Sequence, residues 1–299
     1  MVTLKNPTLV SDTIISKQPF GMAEKDSKLY VGYQNKSDKK VCTAYFNNAG
    51  QIHAHPGPDV ETSRGVSLHF YYDYLRAVFR VNDSSTSGME IQYALNLPTW
   101  EVTTLSCSGT GKAGTDETPD LTSFGGKLYS FFKRGDHKIG YIWMDDKGVW
   151  RNAKSEEQAY IKIGGKNSWT DDSPAATADS KQLYVGHKTG SSGPQQIRLA
   201  ISTDGATWTG EENIKVGKTE VQSKYGPGIA LFKESLVLVY ADKKKKLKQT
   251  SYKNGTWTTI ESVGNLKSDK KPNLASFGSK AALSVVRDDK IHLYFLDVD

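Results

Sequence analysis

One pattern returns along the chain at a period of roughly 45 to 55 residues, and a repeat of that length restricts a chain to solenoids, propellers or arrays. The clearest unit opens at Pro119-Asp120-Leu121-Thr122 and runs through Lys127-Leu128-Tyr129-Ser130-Phe131-Phe132 and Ile139-Gly140-Tyr141-Ile142-Trp143. It closes at Asp146-Lys147-Gly148-Val149-Trp150. A proline-led first strand and a Leu-Tyr or Leu-Val second strand recur at Pro19 with Leu29-Tyr30, Pro174 with Leu183-Tyr184 and Pro227 with Leu236-Val237. Pro272 opens another copy, and a divergent one lies between Arg64 and Phe79. A third run recurs from Val41, Ile91, Ile139, Ile197, Leu247 and Ile291. These runs are short, β-branched or aromatic, and bounded by Gly, Asn, Asp or Ser, which is strand-and-turn rather than helical periodicity.

After the third run a polar turn leads to a tryptophan in four copies, at Trp100, Trp150, Trp208 and Trp257. The last copy stops after its third strand at Leu296-Asp297-Val298-Asp299, while Thr8-Leu9-Val10-Ser11-Asp12-Thr13-Ile14-Ile15 reads as a fourth strand ahead of the first copy. An unpaired outer edge leaves backbone donors and acceptors without partners. The N-terminal strand is therefore expected to complete the final sheet and lock a ring. The expected fold is all-β: one domain over residues 1–299, a six-bladed β-propeller of four-stranded blades, the last blade closed by the N-terminal strand. A parallel β-helix is the rival repeat fold, but its rungs are shorter and it has no use for the N-terminal strand at the opposite end.

With 37% hydrophobic and 24% charged residues the chain has material for a core and is far from a disordered composition. The N-terminus has no signal-peptide core, and no segment approaches membrane-spanning length. The expectation is a soluble protein, cytoplasmic or exported without a classical signal peptide. Cys42 and Cys107 stand alone, and among six histidines only His53-x-His55 is closely spaced, so no disulfide framework, metal site or cofactor is expected. A net charge of +6 favours an anionic ligand at low salt. Its densest patch, Lys243-Lys244-Lys245-Lys246, reads as a solvated hairpin tip, and no nucleic-acid signature accompanies it.

Ser202-Thr203-Asp204-Gly205-Ala206-Thr207-Trp208 resembles a shortened Asp-box, the structural turn of sialidase-like propellers, and the segments ending at Trp150 and Trp257 resemble degenerate copies. The repeat length and strand pattern are similar, over nearly the whole chain, to the six-bladed fungal fucose-binding lectins. That resemblance implies pockets built on an Arg of the second strand and a Glu of the third. Here only Arg76 falls at the Arg position, with Tyr93 where the Glu would stand. Catalytic sialidases require three arginines, a Tyr-Glu pair and an acidic donor, a pattern from which this sequence departs.

Loops entering the innermost strands surround a propeller's channel, which predicts that Glu61, Arg64, Glu117, Asp120, Asp171, Asp172, Tyr225 and Lys271 cluster at one mouth. Capping of turn amides by Asp and Ser is the structural alternative for such residues. Trp169, beside Asp171 and Asp172, offers a flat apolar face next to hydrogen-bond acceptors, as a sugar requires, or else packs beneath a loop. Trp143 and Tyr141 line an inter-blade pocket or belong to the core. Three functions fit: a non-catalytic, lectin-like protein binding a glycan or glycoconjugate; a glycoside hydrolase using Asp120 or Asp172 with Glu61 or Glu117; or a protein-interaction ring. The sequence leaves the sugar, the number of sites and oligomerisation open.

Overall fold

Short apolar runs separated by turn residues fold as strands throughout the computed structural model, and among the described residues there is no helix. The structure describes the chain except residues 1, 19, 82–90, 98, 108–110, 113, 152–158, 191–194 and 212, and gives the backbone alone over 91–97, 106–107, 111–112 and 211. The architecture is a β-propeller. Among the described residues the strands form six sheets of four or five strands, with three two-stranded ribbons between them. In chain order the innermost strands are Gly21–Lys25, Thr62–Tyr71, Asp120–Phe124, Ala175–Ala178, Gly228–Phe232 and Asn273–Phe277. All six contribute to the lining of one central cavity of about 360 Å³.

In the first five sheets the strands follow one another outward as antiparallel neighbours. The sixth takes its outer strand from the other end of the chain: Leu4–Ser11 pairs antiparallel with Lys290–Val298. The backbone of Leu4 is clamped from the neighbouring fifth sheet, because its N–H donates to Gln249 Oε1 at 2.9 Å and its carbonyl accepts from Gln249 Nε2 at 2.9 Å. Buried amide pairs of this kind satisfy backbone groups that would otherwise be desolvated at a cost.

The second strands Leu183–Lys188 and Ser235–Ala241 are buried along their whole length, since adjacent sheets cover both faces, which is why they read as continuous rather than alternating runs. The core is accordingly divided among the sheet interfaces. Phe131 and Tyr141 of the third sheet pack with Leu183, Val185, Ala200 and Trp208 of the fourth. Val237 and Val239 of the fifth pack with Leu283 and Leu296 of the sixth. At the centre the backbones approach too closely for side chains: a Cβ on Gly21 would lie 2.6 Å from the Val66 carbonyl, and one on Gly228 2.6 Å from the Pro272 carbonyl.

The turn from Ser202 to Trp208 shows how a polar loop fixes a core residue. Asp204 Oδ1 accepts the amides of Ala206 (2.8 Å) and Thr207 (2.7 Å), while the Ser202 hydroxyl accepts the Gly205 amide at 2.8 Å. The Thr207 and Ala206 amides hold the Asp204 carboxyl well below the usual carboxylate range. The turn delivers Trp208 edge-on to Phe131 (5.7 Å) and Tyr141 (5.5 Å) of the third sheet. Replacing Asp204 with Ala removes two amide acceptors and is expected to lower stability by about 1–2 kcal/mol, read as a shifted urea midpoint at unchanged slope. A loss confined to acid pH would contradict this, because the carboxylate contributes above its depressed pKa and ceases to as pH falls through it.

Candidate functional site

Each innermost strand is entered through the same local structure. A buried Ser or Thr accepts, through its hydroxyl, the amide of the residue two positions on: Ser16 from Gln18 (3.1 Å), Thr62 from Arg64 (3.3 Å) and Thr115 from Glu117 (3.1 Å). Thr170 does so from Asp172 (3.3 Å), Ser223 from Tyr225 (3.3 Å) and Ser268 from Lys270 (3.4 Å). In five of the six the hydroxyl also donates to that residue's carbonyl; Ser223 donates to Ala241 instead. Such Ser/Thr turns fix the backbone locally without any regular ladder. All six hydroxyl residues are at most 1% exposed.

The turns hold six different side chains at equivalent positions: Gln18, Arg64, Glu117, Asp172, Tyr225 and Lys270. Five of these line one pocket of about 130 Å³ at the mouth of the ring, together with Asp171 and Lys271. The sixth, Arg64, reaches Glu117 with Nε 3.4 Å from the carboxylate. Burial, reinforced by repulsion from Asp172, pushes the Glu117 carboxyl up, against the pull of Arg64, Lys133 and Lys270. Asp172 is occupied by backbone: its two oxygens accept the amides of Ser173 and Gly226, each at 2.8 Å. Asp171 meets His137, with Nδ1 2.5 Å from the carboxylate.

Beneath the pocket, Lys271 crosses the channel. Its side chain is 5% exposed, and Nζ donates to the Pro174 carbonyl at 2.5 Å and lies 4.0 Å from Asp120 Oδ2. Burial pulls the ammonium pKa down, opposed by Asp120 and Asp172. Asp120 in turn accepts the Ser67 hydroxyl (2.7 Å) and the amides of Leu121 (3.0 Å) and Ala176 (2.9 Å). This carboxylate ties the second, third and fourth sheets together.

Of the residues expected at the mouth, Glu117, Asp171, Asp172, Tyr225 and Lys271 line the pocket. Arg64 joins through its ion pair, and Asp120 lies at the level of Lys271. Glu61 and Trp169 do not join them. Each stands immediately before its turn's Thr and is bridged to the preceding sheet, Glu61 to Lys40 and Trp169 to Lys138. They therefore occupy the outer rim, where the Trp169 indole is 52% exposed. Gln18 and Lys270 were missed; the recurring Ser or Thr two positions earlier is the signal that finds them.

Arg76 is buried, its guanidinium 5.6 Å from the Tyr74 ring centroid and 5.9 Å from that of Tyr71. In register it faces Leu95, whereas Tyr93 faces Val78; the Tyr93 side chain lies outside the described residues. Trp143 is half-buried beside Tyr129 and Tyr141, under the Lys127 ammonium at 5.5 Å, and Tyr141 belongs to the core. A second concavity of about 610 Å³ lies between the fourth and fifth sheets, where Asp179, Gln182, Tyr184, Tyr252 and Asn254 contribute to its walls. Among the described residues no three His, Cys, Asp or Glu groups are arranged to hold a metal ion.

No protein-family model matches the sequence, and no curated protein matches it. The fold does match solved structures. The Aleuria aurantia lectin, a fungal lectin described as six-bladed with a novel fucose recognition mode, superposes with a TM-score of 0.66 at 12% identity over 96% of each chain. The AofleA protein of Arthrobotrys oligospora gives 0.60 at 12% identity, over 97% of this chain and 90% of its own. The SapL1 lectin bound to α-methyl fucoside gives 0.59 at 10% identity, over 95% of this chain and 96% of its own. At these identities the likeness establishes the β-propeller fold.

Proposed function

We propose that this chain is a six-bladed propeller, closed by its N-terminal strand, that binds a glycan at its mouth without catalysis. The observation that carries this reading is the ring of buried Ser/Thr turns, which holds six dissimilar side chains around one pocket on a uniform scaffold. Function in β-propellers resides in such variable loop positions on rigid elements. The half-buried Tyr225 offers a ring face for sugar C–H groups, and Gln18, Glu117, Asp171 and Lys270 offer hydrogen-bonding partners for hydroxyls. Six four-stranded or larger sheets around one cavity, and the pairing of the chain ends, support the blade count and the closure. The Ser202–Trp208 turn, with its amide-bound Asp204, supports an Asp-box assignment.

A hydrolase needs a free carboxylate pair. Glu117, with its raised pKa, has one attribute of a general acid, but Asp172 and Asp120 are engaged by backbone amides. Calorimetric titration tests the site: Tyr225→Ala is expected to weaken glycan binding roughly tenfold or more, while Tyr252→Ala, in the groove between the fourth and fifth sheets, leaves it unchanged. The opposite pattern would move the site to that groove.

A further inference from the structure

Lysines gather on one side of the mouth. Lys224 precedes Tyr225; Lys243, Lys244, Lys245 and Lys246 form the hairpin between the second and third strands of the fifth sheet; Lys267 and Lys270 flank the Ser268 turn. Backbone contacts hold these segments together. Lys246 pairs with Lys267, the Ser268 amide donates to the Lys245 carbonyl at 3.0 Å, and the Lys224 amide donates to the Ala241 carbonyl at 2.8 Å.

Seven lysines in these segments outnumber the two aspartates among them, Asp242 and Asp269, and leave the surface net positive. Asp242 Oδ1 accepts the amides of Lys244 (2.8 Å) and Lys246 (2.9 Å), so it serves the turn. Asp269 pairs with Lys245 at 2.6 Å. Lys245 holds a left-handed backbone conformation, φ 63°, that glycine or asparagine adopts at less cost. Lys224, Lys243, Lys244, Lys246, Lys267 and Lys270 are exposed and form no ion pair among the described residues. Lys270 also lines the mouth pocket.

We infer that the mouth takes an acidic glycan, a sugar chain carrying sulfate or carboxylate groups, with a sugar ring stacked on Tyr225 and its anionic groups on these lysines. This deepens the carbohydrate reading and rests on it. A nucleic acid fits less well, because Glu117, Asp171 and Asp172 share the pocket and repel a phosphodiester backbone charged at every residue, whereas an acidic glycan can set uncharged hydroxyls against them.

The test titrates the parent protein and a Lys243→Gln/Lys244→Gln/Lys246→Gln variant with a heparin oligosaccharide, a hyaluronan oligosaccharide, a neutral chitin oligosaccharide and a short DNA duplex, at low and near-physiological salt. The substituted side chains are exposed, and melting curves check that the fold is kept. The inference expects the parent to prefer one or both acidic sugars, the sulfated and carboxylated arms showing which group is read. It expects the variant to lose roughly tenfold in affinity for them, with a weaker dependence on salt. Equal binding by parent and variant overturns it, as does DNA binding as tight as that of the acidic sugars. If the neutral sugar alone binds, the acidic-glycan inference falls while the carbohydrate reading stands; if no sugar binds, both fall.

Discussion

Acidification from pH 6.5 to pH 4 is expected to remove up to roughly 5 kcal/mol of stability through two histidines, the fully buried His187 and the half-buried His69. Burial lowers the pKa of His69 from 6.5 to about 4 and that of His187 from 6.5 to about 3. His69 sits at the channel with Nε2 3.0 Å from the Ser123 hydroxyl. His187 is fully buried: Nδ1 lies 3.0 Å from the Trp169 carbonyl, which only accepts, and Nε2 has no hydrogen-bond partner among the described residues. Both rings are neutral in the fold until the pH approaches these values. Below pH 6.5 the unfolded chain therefore takes up protons that the folded chain refuses, and stability falls with pH until each folded value is passed. One pKa unit is worth about 1.4 kcal/mol, so by pH 4 His187 has removed about 3 and the half-buried His69 about 2. Domains of this kind have roughly 5–15 kcal/mol in total, so acid unfolding is expected near pH 4 to 5. Burial lowers the pKa of His292 as well, with the same sign. A His69→Gln/His187→Gln variant should show a much flatter limb between pH 4 and 6.5 in denaturant titrations; an unchanged slope would show that the histidines do not set it.

The second large effect is an asymmetry at the channel plug. Asp120→Ala strands the Ala176 amide and leaves the Lys271 ammonium with a single carbonyl, at an expected cost of about 3 kcal/mol. Lys271→Met removes a desolvated charge while Asp120 keeps its three donors, so its cost is expected to stay under about 1 kcal/mol. In the Lys271→Met background Asp120→Ala should cost about 1–2 kcal/mol less than alone. The pH dependence follows from the lowered ammonium pKa: the parent gains stability as pH climbs from that depressed value toward 10.5, and Lys271→Met does not. Equal costs for the two single variants, or no alkaline difference, would mean that the plug is not energetically coupled.

The repeat was legible because strand chemistry is local. Runs such as Leu128–Phe132 and Leu183–Val185 are apolar on both faces, and turn residues mark their ends. An outer strand ahead of the first copy was legible, but the sequence pattern puts it at Thr8 to Ile15, whereas the strand that pairs with Lys290–Val298 is Leu4–Ser11. The mouth was half legible. Residues just before each proline do converge there, but these segments are turns, and the buried Ser or Thr sets the phase: Gln18, Glu117, Asp172, Tyr225 and Lys270 each stand two positions after it. Without that phase Glu61 and Trp169, one position before their turns, look equivalent to Arg64 and Asp172, two positions after. In the second sheet a register shift between Thr62 and Val66 further obscures the alignment. Contacts such as Lys271 with Asp120 join opposite parts of the ring, and no local pattern encodes them.

The most direct test of carbohydrate recognition at the mouth is a glycan array probed in parallel with the parent protein and with Tyr225→Ala, each first shown by its melting curve to be folded. The account predicts saturable binding of a discrete set of glycans by the parent and loss of that set by the variant. Silence of the folded parent across the array, or an identical pattern from both proteins, would contradict it.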